Sequence, residues 1–172
     1  MNRKSHYQQQ QKYKSNQKGA PSLSGQRRSP NEFFVTCYGA GSEVGRSCIL
    51  VEMSGKRILL DCGVNIGTTD PNERLPKFPR DGFDIDLVLI SHIHNDHLCS
   101  LPLLTKEPKY QKDIGMSYKG PIYMSKASLA LAPIMLQDFI QVTDNPPFKT
   151  EDISFCIEKI QGIEFGQRIL AL

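Results

Sequence analysis

No apolar period runs through the first 32 residues. Gln, Lys, Ser and Asn dominate them, and Leu23 is their only large aliphatic residue after Met1. From Phe33 the pattern changes. Phe33-Phe34-Val35-Thr36-Cys37-Tyr38 is aromatic and β-branched, which predicts a strand. A second strand is expected over Ser47–Met53 and a third over Arg57–Leu60, joined at Ser54-Gly55 by a short hairpin turn. Residues 64–83 hold three prolines and many charges and predict an irregular cover. Asp86–Ser91 reads as a further strand, built on the run Leu87-Val88-Leu89-Ile90.

Beyond it, Cys99–Leu104 predicts a short helix, with Ser100 as cap and Pro102 in its first turn. Residues 105–119 are polar and irregular, and Pro121–Met124 predicts a strand. Lys126–Val142 has helical spacing. Leu129, Ala132, Leu136, Phe139 and Ile140 form one apolar face, Leu131, Ile134 and Met135 widen it, and Pro133 threatens a kink. Thr150–Lys159 predicts a helix capped by Thr150, with Glu151 and Asp152 in its first turn. Ile163–Phe165 and Arg168–Leu172 look like strand material. A strand meander followed by alternating helices and strands predicts an α/β layered fold.

Composition refines this picture at the N-terminus. Residues 1–32 cannot bury enough apolar surface to offset chain entropy and are expected to be a disordered tail. They carry seven Lys and Arg against Glu32, a net of +6, so the total of +3 leaves −3 for residues 33–172. A basic arm can touch nucleic acid, act as a targeting signal or simply solvate the chain. The tail lacks the apolar core of a signal peptide, and no apolar run reaches membrane-spanning length. The expectation is a soluble, intracellular protein with no membrane partner. Five cysteines (Cys37, Cys48, Cys62, Cys99, Cys156) lack C-x-x-C spacing and are expected as reduced, buried thiols.

The chemistry concentrates in Ser91-His92-Ile93-His94-Asn95-Asp96-His97. Three of the four histidines and one aspartate fall within six residues, directly behind an apolar strand. Neutral imidazole is the commonest zinc ligand, and a carboxylate complements it. His92 and His94 are two apart, so on an extended segment their rings point the same way. Asp96 and His97 follow where the chain must turn and can present a second pair. The segment reads as a loop that holds metal, as one ion or two. Cys99 stands two residues beyond His97, but core packing is its expected role. The loop Gly39–Gly45 lacks the G-x-x-x-x-G-K-[ST] pattern, which argues against nucleotide binding.

His92-Ile93-His94-Asn95-Asp96-His97 matches the H-x-H-x-D-H signature of the metallo-β-lactamase fold. Gly39–Cys48 and Leu60-Asp61-Cys62-Gly63 resemble a narrower group, the β-CASP RNA endonucleases. So do Gly120–Met124 and Pro133–Leu136. The resemblance covers about residues 34–160. Leu98-Cys99-Ser100 departs from the Cys-Gly-Ala usual in that group, and Asn95 stands where Leu is common; neither change removes a ligand.

The resemblance implies a partial αββα sandwich, with residues 33–172 as the N-terminal part of a metallo-β-lactamase domain. It further implies that His92 and His94 bind one zinc, that Asp96 and His97 serve a second, and that Asp61 orients the site by hydrogen bonds. Two Zn²⁺ ions would ionise a water between them, and the resulting hydroxide would cleave a phosphodiester. Implied partners are RNA and the subunits of a nuclear RNA-processing complex, of the polyadenylation or Integrator kind. The family also needs later histidines, an aspartate and a cap domain, and no histidine follows His97. The expectation is therefore a zinc-dependent endoribonuclease of RNA 3′-end processing that is truncated and inactive alone. Two alternatives stand beside it: a non-catalytic scaffold subunit of such a complex, and a small-molecule metallo-hydrolase.

Overall fold

The computed structural model describes Ser29 and residues 31–79, 84–106 and 118–170. The expected tail lies almost wholly outside the described residues, as do most of the irregular 105–119 stretch and the last two residues. Among the described residues, six strands form one sheet in the order β1-β2-β3-β4-β5-β6. They are β1 (Phe33–Gly39), β2 (Cys48–Met53), β3 (Lys56–Leu60), β4 (Leu87–Leu89), β5 (Ile122–Ser125) and β6 (Ile160–Ile163). The first three pair antiparallel, and β3 through β6 pair parallel. This is the predicted meander followed by alternation, a mixed α/β fold. The described residues supply one sheet and its helices; a second sheet of a sandwich is not among them.

Register explains the core. Leu50 faces Leu59, Leu59 faces Val88, Val88 faces Ile122, and Ile122 faces Ile160, so one row of side chains crosses the sheet. Every member is buried and belongs to the same cluster as Ala132, Leu136 and Phe139. The β2–β3 turn places Ser54 and Gly55 at φ of 50° and 71°, the left-handed pair of a tight hairpin. Among the described residues no helix is long and apolar enough to cross a membrane.

Several elements differ from expectation. A short helix, α1 (Pro71–Arg74), interrupts the stretch expected to be irregular. Asp70 starts it by accepting from the Asn72 amide at 2.9 Å. Asn95–Leu98 forms a helical turn, α2, where a loop was expected. In α3 (Leu101–Thr105) Ser100 holds the cap position without capping, because its hydroxyl donates to the Gly63 carbonyl at 2.7 Å.

Helix α4 (Lys126–Val142) runs through Pro133 without ending. Its buried face is narrower than its sequence suggests: Ala132, Leu136 and Phe139 are covered, whereas Leu131 and Ile134 are 48% and 65% exposed. Ser125 caps it, accepting from the Ser128 amide at 3.1 Å. In α5 (Thr150–Ile157) Thr150 is the first helical residue and Lys149 the cap position, with Asp152 accepting from the Lys149 amide at 2.9 Å. The last strand begins at Ile160, whose burial sets the register, and residues 164–170 form none. Cys37 is exposed, against expectation; Cys48, Cys62, Cys99 and Cys156 are buried, and all five are free thiols.

Candidate metal centre

Strands β3 and β4 are parallel neighbours, with Leu60 facing Leu89. Their C-terminal ends therefore emerge side by side, at the edge where α/β folds commonly place sites. Asp61 follows the first end and Ser91 the second. The buried Asp61 carboxylate accepts from the Ser91 amide at 2.7 Å through Oδ1 and from the Ser91 hydroxyl at 3.0 Å through Oδ2. Asp61 itself has a φ of 60°, a left-handed conformation that aspartate tolerates better than most residues.

The histidines gather on this support. His97 Nδ1 lies 2.8 Å from Asp61 Oδ2 and donates to it, so Nε2 carries the free lone pair. That Nε2 lies 3.4 Å from Asp96 Oδ2. The Ser91 hydroxyl spends its proton on Asp61 and accepts from His92 Nδ1 at 2.9 Å. His92 thus presents Nε2, which lies 3.0 Å from His94 Nδ1. The His92 ring centroid is 4.6 Å from that of His94 and 4.1 Å from that of His97. Burial, then the His97 and His94 rings beside it, pushes the His92 imidazole below its ordinary value of 6.5. That shift favours the neutral, ligand-competent form.

The four residues singled out in sequence and Asp61 are therefore brought together at one end of the sheet. Cys99 is not among them: it is fully buried, with Sγ 3.4 Å from Asn95 Oδ1, and burial pushes its thiol up to about 12. Sequence reasoning gave no role to Ser91, which links Asp61 to His92. Its place immediately after a strand and before the first histidine was the available signal.

Residues 41–171 match the family model of the Metallo-beta-lactamase superfamily. The chain belongs to that superfamily. Among its relatives, it is similar to Integrator complex subunit 11 of Gallus gallus, 36% identical over 149 residues, which are 80% of this chain and 23% of that protein. It is 38% identical over 142 residues to Cleavage and polyadenylation specificity factor subunit 3-II of Arabidopsis thaliana, covering 76% of this chain and 22% of that one. It is 35% identical over 133 residues to Ribonuclease TTHA0252 of Thermus thermophilus, covering 77% and 28%. The chain thus spans about a quarter of the length of these relatives.

Metallo-beta-lactamase domains are generally metal-dependent, and the donors here can be tested against that. Two ligands on a tetrahedral zinc stand about 3.3 Å apart when each bond is about 2.0 Å. The His92–His94 and Asp96–His97 donor pairs, at 3.0 and 3.4 Å, have that separation. Among the described residues, however, no group of three or more His, Cys, Asp or Glu is arranged to hold one ion. The donors fit a metal as two pairs, each short of the three protein ligands of a catalytic zinc.

Proposed function

We propose that this chain carries the first half of the metal centre of a zinc-dependent endoribonuclease of RNA 3′-end processing. The observation that supports it most is the pair of donor pairs braced by Asp61, in a chain more than a third identical to two RNA-processing subunits and a ribonuclease. His92 and His94 would hold one Zn²⁺, and Asp96 and His97 would serve the other. Zinc bound there would supply Lewis-acid polarisation of a phosphoryl oxygen and acidify a water near neutral pH. Asp61 fixes the His97 ring by accepting from Nδ1, and Ser91 passes the same restraint to His92. Both imidazoles are thereby held in the tautomer that offers Nε2 outward.

The reading extends to a β-CASP-type partner domain that completes the RNA cleft, to RNA and the subunits of a nuclear processing complex as partners, and to further ligands beyond those described. Neither donor pair can make a catalytic zinc alone. Residues 1–172 by themselves are therefore expected to bind Zn²⁺ weakly and to leave single-stranded RNA intact. Calorimetric zinc titration and a cleavage assay on labelled single-stranded RNA check both points. Metal-dependent cleavage by this chain alone would refute the half-site reading. No zinc binding, with all four donors intact, would refute the ligand assignment.

A further inference from the structure

A four-residue helix leaves most of its carbonyls without internal partners. In α2 the carbonyls of the three residues that carry or flank its donors are met from outside. The Val64 amide donates to Asn95 O at 3.0 Å, Ser47 to Asp96 O at 2.7 Å, and Cys62 to His97 O at 2.8 Å. Gly63 sits between two of these donors. A Cβ built on it would lie 1.8 Å from Asp96 O, 1.9 Å from Asp96 C and 2.4 Å from His97 N. Real Cβ atoms do not approach backbone so closely, and backbone cannot swing aside as a side-chain tip can. Gly63 is not among the glycines with positive φ, so the constraint here is space and not conformational freedom.

We infer that Gly63 is a positioning residue: its bare Cα lets the 61–64 segment and Ser47 grip the α2 backbone and so sets where Asp96 and His97 present their donors. The inference rests on the metal-centre reading for its consequence, but its geometry stands without metal. A methyl at position 63 must push α2 off its three amide donors. That displacement separates the Asp96–His97 pair from His92, which follows β4 and is held through Ser91 and not through α2.

The test compares wild type, Gly63→Ala and Ile160→Ala, all as the 172-residue chain. Ile160 lies in the core on β6, two strands away from β4, and makes none of the α2 contacts named above, so its truncation lowers stability while leaving the cradle in place. Gly63→Ala is expected to lose the nuclear Overhauser contact between the His92 and His97 rings and to weaken Zn²⁺ binding at least tenfold. Ile160→Ala should keep both at a similar or lower melting temperature. An intact ring contact in a folded Gly63→Ala protein would overturn the inference, as would equal losses in the two variants. Should wild type bind no Zn²⁺, the metal reading fails while the metal-free ring contact still decides the cradle. Should Gly63→Ala not fold, hydrogen exchange in wild type decides instead. The Ser47, Cys62 and Val64 amides must then be protected like sheet amides, and rapid exchange would overturn the proposal.

Discussion

Asp61 carries two connections at once, and they can be separated. Its Oδ1 holds the Ser91 amide, while its Oδ2 takes the His97 and Ser91 side chains. Asp61→Asn keeps the shape but withdraws the charge that makes His97 Nδ1 a committed donor. Loss of such a carboxylate behind a metal-binding imidazole typically weakens metal about 10- to 100-fold. Calorimetric Zn²⁺ titration of Asp61→Asn should show that loss, and an unchanged affinity would reduce Asp61 to a structural role.

The buried thiols give a second expectation at this scale. Burial pushes Cys99 and Cys156 up to about 12 from an ordinary 9.0. The unfolded chain therefore ionises first, so their contribution is intact below pH 9 and falls as pH rises above it. Denaturation midpoints should drop between pH 9 and 11, and at pH 8 a thiol reagent should label exposed Cys37 ahead of the other four. The donor types of the site were legible because H-x-H-x-D-H is a matter of residue identity and spacing. Ser91 and Gly63 were not, because a shared hydroxyl and an absent Cβ matter only once β3 and β4 lie side by side.

At the scale of elements, helix α4 shows where local pattern and tertiary packing part. Its apolar positions cover more of the circumference than the sheet can bury. Ala132, Leu136 and Phe139 take the inner face, and Leu131 and Ile134 are left in solvent. Periodicity shows that the helix exists but not which apolar positions the neighbours reach. Thr150 and Ser100 teach the same lesson for caps, since each has the right residue type one position away from, or turned away from, the amide it was expected to meet.

Pro133 is the sharper case. It lacks the amide that would bond the Leu129 carbonyl, and an interior proline costs a helix about 3 kcal/mol relative to alanine. Restoring alanine also frees the unfolded chain, which offsets up to about 1 kcal/mol. Pro133→Ala should therefore stabilise the protein by about 2 kcal/mol, read as a higher urea midpoint at unchanged slope. A loss of stability would show that the proline ring packs usefully where it stands.

The two faces of the sheet are unequal, and that governs the behaviour of the whole molecule. The row Leu50, Leu59, Val88, Ile122 and Ile160 is sealed beneath the helices. One residue along, the row Val35, Val51, Ile58 and Leu87 points the opposite way, because side chains alternate across a strand. Leu87 is buried and Val51 and Ile58 half-buried, but Val35 is 53% exposed, with Phe33 at 65% and Met53 at 44% beside it. Apolar surface thus opens progressively toward β1, the first strand in the sheet order, which pairs with β2. A contiguous exposed apolar patch of this kind favours self-association. The isolated 172-residue chain should bind a hydrophobic dye such as anilinonaphthalene sulfonate while fully folded, and its sedimentation coefficient should rise with concentration. Phe33→Lys combined with Val35→Lys puts charge on the exposed face without touching the core row. That variant should lose most of the dye fluorescence and sediment as a monomer, with its melting temperature little changed. Undiminished dye binding by a folded double variant would mean that the apolar surface lies elsewhere, with the outer stripe of α4 around Leu131 and Ile134 the next place to substitute.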